Sequence, residues 1–163
     1  MIVERDARRR HPLKIAINWP PCIDRLKRRV QIVTEEFPEQ YREGLRLFND
    51  EEFFECHEVL EELWSETVGA DRKFLQGLIQ AAVALFHFGN ENFGGAKKLY
   101  LSAHKNLDLF GDEFMGIQLS LFLLDFRQCF QELLDNTEAY PTTVGIRDEL
   151  VPKIRYVSEG QRS

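Results

Sequence analysis

Apolar residues recur three and four positions apart between Pro38 and Pro141, and all six Pro residues lie at or outside those limits. A Pro-free stretch of that length, without long β-branched runs, reads as helix after helix. Tyr41, Leu45 and Phe48 form the stripe of a first helix that starts after Pro38. Asn49 or Asp50 is placed to cap a second helix, with Glu52 at capping-box spacing from Asn49. That helix runs to about Val68 and stops at Gly69. Asp71 is placed to cap a third, from Arg72 to Phe88. A fourth follows Asn92, carries Ala96, Leu99, Tyr100, Ala103 and Leu107 on one face, and ends by Gly111. Asp112 is placed to cap a fifth, striped with Leu119, Phe122, Leu123, Phe126, Phe130 and Leu133.

The connections are short, which makes sequential helices antiparallel neighbours. The predicted fold is all-α, a mostly antiparallel bundle of about five helices over residues 37–136. It is flanked by an arm, 1–36, with one short helix at most at 24–36, and by a C-terminal extension, 137–163. Phe53 and Phe93 are 40 residues apart, as are Cys56 and Ala96, and Leu47-Phe48 and Leu85-Phe86 are 38 apart. Tetratricopeptide-like repeats need stricter small-residue positions, so this echo is read as a by-product of helical amphipathicity.

Composition adds the setting. A chain of 163 residues is one ordinary domain with arms, and 44% hydrophobic with 29% charged residues is a globular balance. Cys22, Cys56 and Cys129 are odd in number and widely spaced, which fits a reducing compartment without disulfides. The N-terminus has no apolar core of a secretory signal, and the apolar stretch near Ala81 to Phe86 is too short to span a bilayer. A cytoplasmic protein is expected, with no membrane contact. The net charge of −6 is uneven. Residues 1–36 hold 9 Lys and Arg against 5 Asp and Glu, and the remainder holds 12 against 22. An acidic body argues against nucleic acid as a ligand. A second copy or another protein remains open as a partner.

Candidate chemistry concentrates on the second helix, in Glu55-Cys56-His57-Glu58-Val59-Leu60-Glu61-Glu62-Leu63-Trp64. At about 100° per residue His57 falls at the edge of the apolar stripe, with Glu61 beside it at i+4. On the mostly apolar third helix, Gln76, Gln80 and His87 share one strip. Buried amides and imidazoles need hydrogen-bond partners. An antiparallel turn near Ala70 sets Glu61 opposite Ile79 or Gln80 and His57 opposite Val83, so the two polar strips are expected to meet inside the bundle. His57, Glu61 and His87 are then the candidate ligands of a divalent metal such as zinc, manganese or iron. Gln76, Gln80 and Trp64 are candidate contacts to a bound group. His57-Glu58-x-x-Glu61 is similar to the zincin His-Glu-x-x-His, with Glu58 as candidate base, although Glu58 points away from the Glu61 face on the wheel. The competing reading is structural: the cluster only fixes helix register.

The run Phe53-Phe54-Glu55-Cys56-His57-Glu58-Val59-Leu60-Glu61-Glu62-Leu63-Trp64, followed by Phe74-Leu75-Gln76-Gly77-Leu78-Ile79-Gln80, Asn92 and Gly95-Ala96, resembles the bacterial and archaeal family known as domain of unknown function 309. The resemblance covers about residues 41–110 and implies a small all-α bundle. The family's function is not established, and some members carry the label of predicted metal-dependent hydrolase. His57, Glu58, Glu61, Trp64, Gln76 and Gln80 carry over from its motif, whereas His87 comes from the wheel alone. Two functions stand as expectations: a polar site at His57, Glu61, Gln80 and His87 that binds a divalent metal or small ligand, with hydrolysis as its chemistry, or a non-enzymatic interaction module.

Overall fold

The computed structural model describes residues 37–137, 141 and 143–157. The arm at 1–36 and its short helix lie outside them. Five α-helices form the described body: α1 (Glu39–Asn49), α2 (Phe53–Glu66), α3 (Gly69–Gly89), α4 (Phe93–Leu107) and α5 (Leu119–Asp135). The all-α, mostly antiparallel bundle expected from the periodicity is what the chain forms. No described helix is long and apolar enough to cross a membrane.

The helix ends differ from the expected caps. Asn49 does not cap α2; its amide brackets Ile154, donating to its carbonyl at 3.0 Å and accepting from its amide at 2.7 Å. Glu52 occupies the N-cap position without a side-chain bond. Asp71 lies inside the first turn of α3, which starts earlier, at Gly69 with φ +74°. Asn92 caps α4, which follows it as expected, and accepts from the Gly95 amide at 3.1 Å. Asp112 does not open α5, because a hairpin of β1 (Glu113–Phe114) and β2 (Ile117–Gln118) intervenes. Two-residue strands are too short for period-two alternation to announce them. The strand residue Ile117 bridges to Tyr156, and the Gln118 amide donates to the Arg155 carbonyl at 2.8 Å. Much of the sequence assigned to a C-terminal extension therefore packs on the bundle, with Val151 and Ile154 buried.

The 40-residue echo proves structural. Asp50, Glu51 and Glu52 donate to the carbonyls of Arg46, Phe48 and Leu47; Asn90, Glu91 and Asn92 donate to those of Phe86, Phe88 and His87. Glu51 and Glu91 both adopt the left-handed region, with φ 66° and 58°. Leu45, Phe48, Cys56, Leu60 and Leu63 of the first hairpin are buried, as are Leu85, Phe88, Ala96, Tyr100 and Ala103 of the second. Thus α1–α2 and α3–α4 are two copies of one helical hairpin, and α5 covers the second through Phe88–Phe130 and Tyr100–Phe126 ring contacts.

Close helix approach depends on two glycines. A Cβ at Gly44 would meet Leu60 Cδ2 at 2.4 Å, and one at Gly77 would meet Leu107 Cδ2 at 2.6 Å. Gly94 and Gly95 do not serve such an approach: Gly94 has open space, and a Cβ at Gly95 would strike the capping side chain of Asn92 at 2.7 Å. Gly44→Ala and Gly77→Ala should each destabilise by about 1–3 kcal/mol through overpacking, while Gly94→Ala should stabilise by up to about 1 kcal/mol. Urea titration ranks the three, and a neutral Gly77→Ala would contradict the α3–α4 contact.

Tyr41 ties α1 to the hairpin by donating to the Met115 carbonyl at 3.0 Å. Burial first, then the neighbouring Tyr156 and Asp71, push its pKa well above the ordinary value. The folded chain thus holds this proton more tightly than the unfolded chain, so the associated stability is complete below about pH 10 and falls as pH rises beyond it. Tyr41→Phe should lower neutral-pH stability by about 0.5–1.5 kcal/mol. It should also flatten the alkaline loss by up to about 1.4 kcal/mol per pH unit. Unfolding midpoints against pH, compared between the two chains, test both effects.

Candidate functional site

Helix α2 buries Phe53, Cys56, Leu60 and Leu63 against its neighbours. His57 sits at the edge of this stripe and is half-buried, as the wheel predicts. Glu61 is exposed. Four residues advance about 40° beyond a full turn, and that rotation carries Glu61 out of the interface. The expected half-buried His57–Glu61 pair does not form. Instead His57 Nδ1 donates to the Phe54 carbonyl, which leaves Nε2 as the acceptor of the neutral ring.

The antiparallel register of α2 and α3 agrees with the expectation: Phe54 meets Phe86, their centroids 5.5 Å apart. The rotation of α3 does not. Gln80 faces α4, accepting from Asn106 Nδ2 at 2.8 Å, and Asn106 is 7% exposed. Gln76 is half-buried. His87 stays with the loop beyond α3, where its Nδ1 accepts from Asn92 Nδ2 at 3.2 Å. Since Asn92 Oδ1 already accepts from Gly95, the amide orientation is fixed, and the neutral His87 ring carries its proton on Nε2. The two polar strips therefore do not meet inside the bundle. A helix with neighbours on several sides has several interfaces, and a wheel cannot choose among them.

Trp64 is engaged with Arg72, whose guanidinium lies 3.7 Å over the ring centroid and donates to the Trp64 and Thr67 carbonyls, each at 3.1 Å. This joins the end of α2 to the start of α3. Glu58 is exposed, on the outer face with Glu55, Glu61, Glu62 and Glu66. Among the described residues no three His, Cys, Asp or Glu side chains are grouped to hold a metal ion, so His57, Glu61 and His87 do not form a ready ligand set. Burial pushes the Cys56 and Cys129 thiols up to about 12, and Cys56 donates to the Gly44 carbonyl, which are properties of packing groups.

What the sequence reading missed on the surface is an aromatic pair. Phe54 and Phe86 are 45% and 37% exposed, yet they touch each other and lie beside His57 and His87. The five Glu residues of α2 have no ion pair among the described residues, and α2 carries no Lys or Arg. The signal was present in the absence of basic residues between Asp50 and Arg72.

Together these features define an all-α protein built on a doubled helical hairpin, with an acidic and aromatic outer face. The chain belongs to the family described as Domain of unknown function (DUF309), whose model matches residues 41–99. It is similar to "Uncharacterized protein YpuF" of Bacillus subtilis (strain 168), 35% identical over 118 residues, covering 69% of this chain and 67% of the relative. It is also similar to an "Uncharacterized protein" of Aquifex aeolicus (strain VF5), 29% identical over 117 residues, covering 71% of this chain. The chain spans 33% of the length of that second relative.

Gln80→Ala should destabilise by about 1–3 kcal/mol, because it strands the buried Asn106 amide. Glu61→Gln should change stability by no more than about 0.5 kcal/mol. Denaturant midpoints measure both, and equal losses would return Glu61 to the interior.

Proposed function

We propose that the bundle is a non-enzymatic interaction module whose α2 outer face docks a basic polypeptide segment. The observation that carries this reading is the exposed Phe54–Phe86 pair beside a helix whose carboxylates have no ion pair among the described residues. Each component suits the same ligand. A Lys or Arg head over a phenyl face gains about 0.5–1 kcal/mol at an exposed site, and its charge is drawn by Glu55 and Glu58. The imidazoles add one acceptor at His57 Nε2 and one donor at His87 Nε2. Inward-facing motif residues hold helices together instead: Gln80 grips α4, and Trp64 is clasped by Arg72. The match to one third of a longer relative suits a module that also occurs as part of a larger chain.

A display library of random peptides, selected on the immobilised protein, tests the proposal. Enriched sequences should combine Lys or Arg with an apolar residue, and the Phe54→Ala/Phe86→Ala variant should retain them at least ~10-fold more weakly. The two side chains are 45% and 37% exposed, so the variant should lose about 1–3 kcal/mol of stability in all, and circular dichroism checks that it stays folded at the selection temperature. Equal retention by the two proteins would reject the face as a docking site.

A further inference from the structure

We infer that a second copy of the chain docks on the α2 face through its α4 helix, forming a two-fold dimer. This rests on the reading of α2 as a docking face and names its occupant. The argument starts from the repeated hairpin. Because α1–α2 and α3–α4 are equivalent at a 40-residue offset, α2 and α4 hold equivalent places, and Glu58 corresponds to Lys98. Their charges are opposite. Helix α2 carries Glu55, Glu58, Glu61, Glu62 and Glu66 and no Lys or Arg; α4 carries Lys97, Lys98 and Lys105 and no Asp or Glu. Lys98 and Lys105 are exposed and, like the α2 carboxylates, make no ion pair among the described residues.

The directions of the helices suit a two-fold arrangement. Both α2 and α4 run antiparallel to α3, hence parallel to each other. A two-fold axis perpendicular to them reverses direction, so α2 of one copy lies antiparallel to α4 of the other, and the contact recurs with roles exchanged. In that arrangement one register sets Glu58 opposite Lys105 of the second copy and Glu66 opposite Lys98 of the second copy. The spacings agree: Glu58 to Glu66 rises about 12 Å and Lys98 to Lys105 about 10.5 Å. Apolar positions fall in step. Phe54, 45% exposed, lies beside Leu109, 67% exposed, and Leu101, 56% exposed, sits between the two lysines against the aliphatic stems of Glu61 and Glu62. Pairs of this kind are solvent-accessible, so the association is salt-sensitive.

Sedimentation velocity of the full chain tests the inference. At about 20 mM salt, where screening is weak, a dimer should form and dissociate as salt rises to about 500 mM. Lys98→Glu/Lys105→Glu should weaken it at least ~10-fold, and adding Glu58→Lys/Glu66→Lys to the same chain should restore it. All four side chains are exposed, and circular dichroism melting confirms that each variant is folded. A chain that stays monomeric at low salt up to about 100 µM, equivalent to an association weaker than about −5.5 kcal/mol, overturns the proposal. So does a dimer indifferent to both salt and charge reversal, which uses another surface. Zero-length carbodiimide cross-linking gives a third arm: links between Lys105 and Glu58 of different copies support it, whereas links from Lys14 or Lys27 to α2 within one copy give the face to the chain's own basic arm and overturn it. If the dimer fails while the peptide selection still returns basic sequences that depend on Phe54 and Phe86, only this inference falls. If the selection returns nothing as well, the docking reading falls with it.

Discussion

Helix α3 is buried on nearly every side, and the rest of the bundle is arranged by that requirement. Phe74, Leu75, Leu78, Ile79, Ala81, Ala82, Ala84, Leu85 and Phe88 cover most of its circumference. No single partner can bury a helix of that kind. Helix α2 closes on it from one hairpin and α4 from the next; Phe110 and Phe114 meet Phe74, and Phe130 of α5 meets Phe88. Gly77 lets α4 approach closely, and Gln80 lies in that interface. Gln80 therefore needs a polar partner within reach, and Asn106 on α4 supplies it.

The repeated hairpin explains why one loop conformation occurs twice. In each copy the residue after the helix cap takes positive φ, three backbone amides fold back onto the last turn, and a Phe opens the next helix. Two glutamates, not glycines, occupy those positive-φ positions, at a cost of the order of 1 kcal/mol each. The fold-back hydrogen bonds offset that cost. Glycine spacing gives no notice of such a loop, and the echo in Phe53/Phe93 and Cys56/Ala96 was its visible trace.

The helices were legible because each carries a strong stripe at a period of 3.6. The register of α2 against α3 was legible too, since a short turn and antiparallel pairing fix it. Rotation was not. Gln80 turned to α4 and Glu61 turned to solvent, and both choices depend on which neighbour fills which side of α3. The β1–β2 hairpin and the docking of Val151 and Ile154 were also illegible. They are long-range contacts of short segments, specified by the surface they meet and not by any local period. At the candidate site the wheel placed His57 at the edge of the apolar stripe and Glu58 away from it, as the structure has them, but it turned Glu61 inward, where the structure places it on the outer face.

That outer face raises a question about fold and charge. Like charges four residues apart, Glu58 with Glu62 and Glu62 with Glu66, each cost a helix about 0.2–0.5 kcal/mol. Burial of Phe53, Leu60 and Leu63 outweighs this easily, so the fold tolerates an acidic α2 without requiring it. Helix α4 is the internal control. It occupies the equivalent place in the second hairpin, buries an equivalent stripe, and carries lysines as its only Lys, Arg, Asp or Glu residues, with Lys98 at the position of Glu58. The same backbone context therefore accepts either sign. If packing alone shaped these surfaces, both would carry mixed charges that satisfy i,i+4 pairs and lower the cost. Two equivalent helices with unmixed and opposite charges place the reason outside the monomer, in whatever these faces meet.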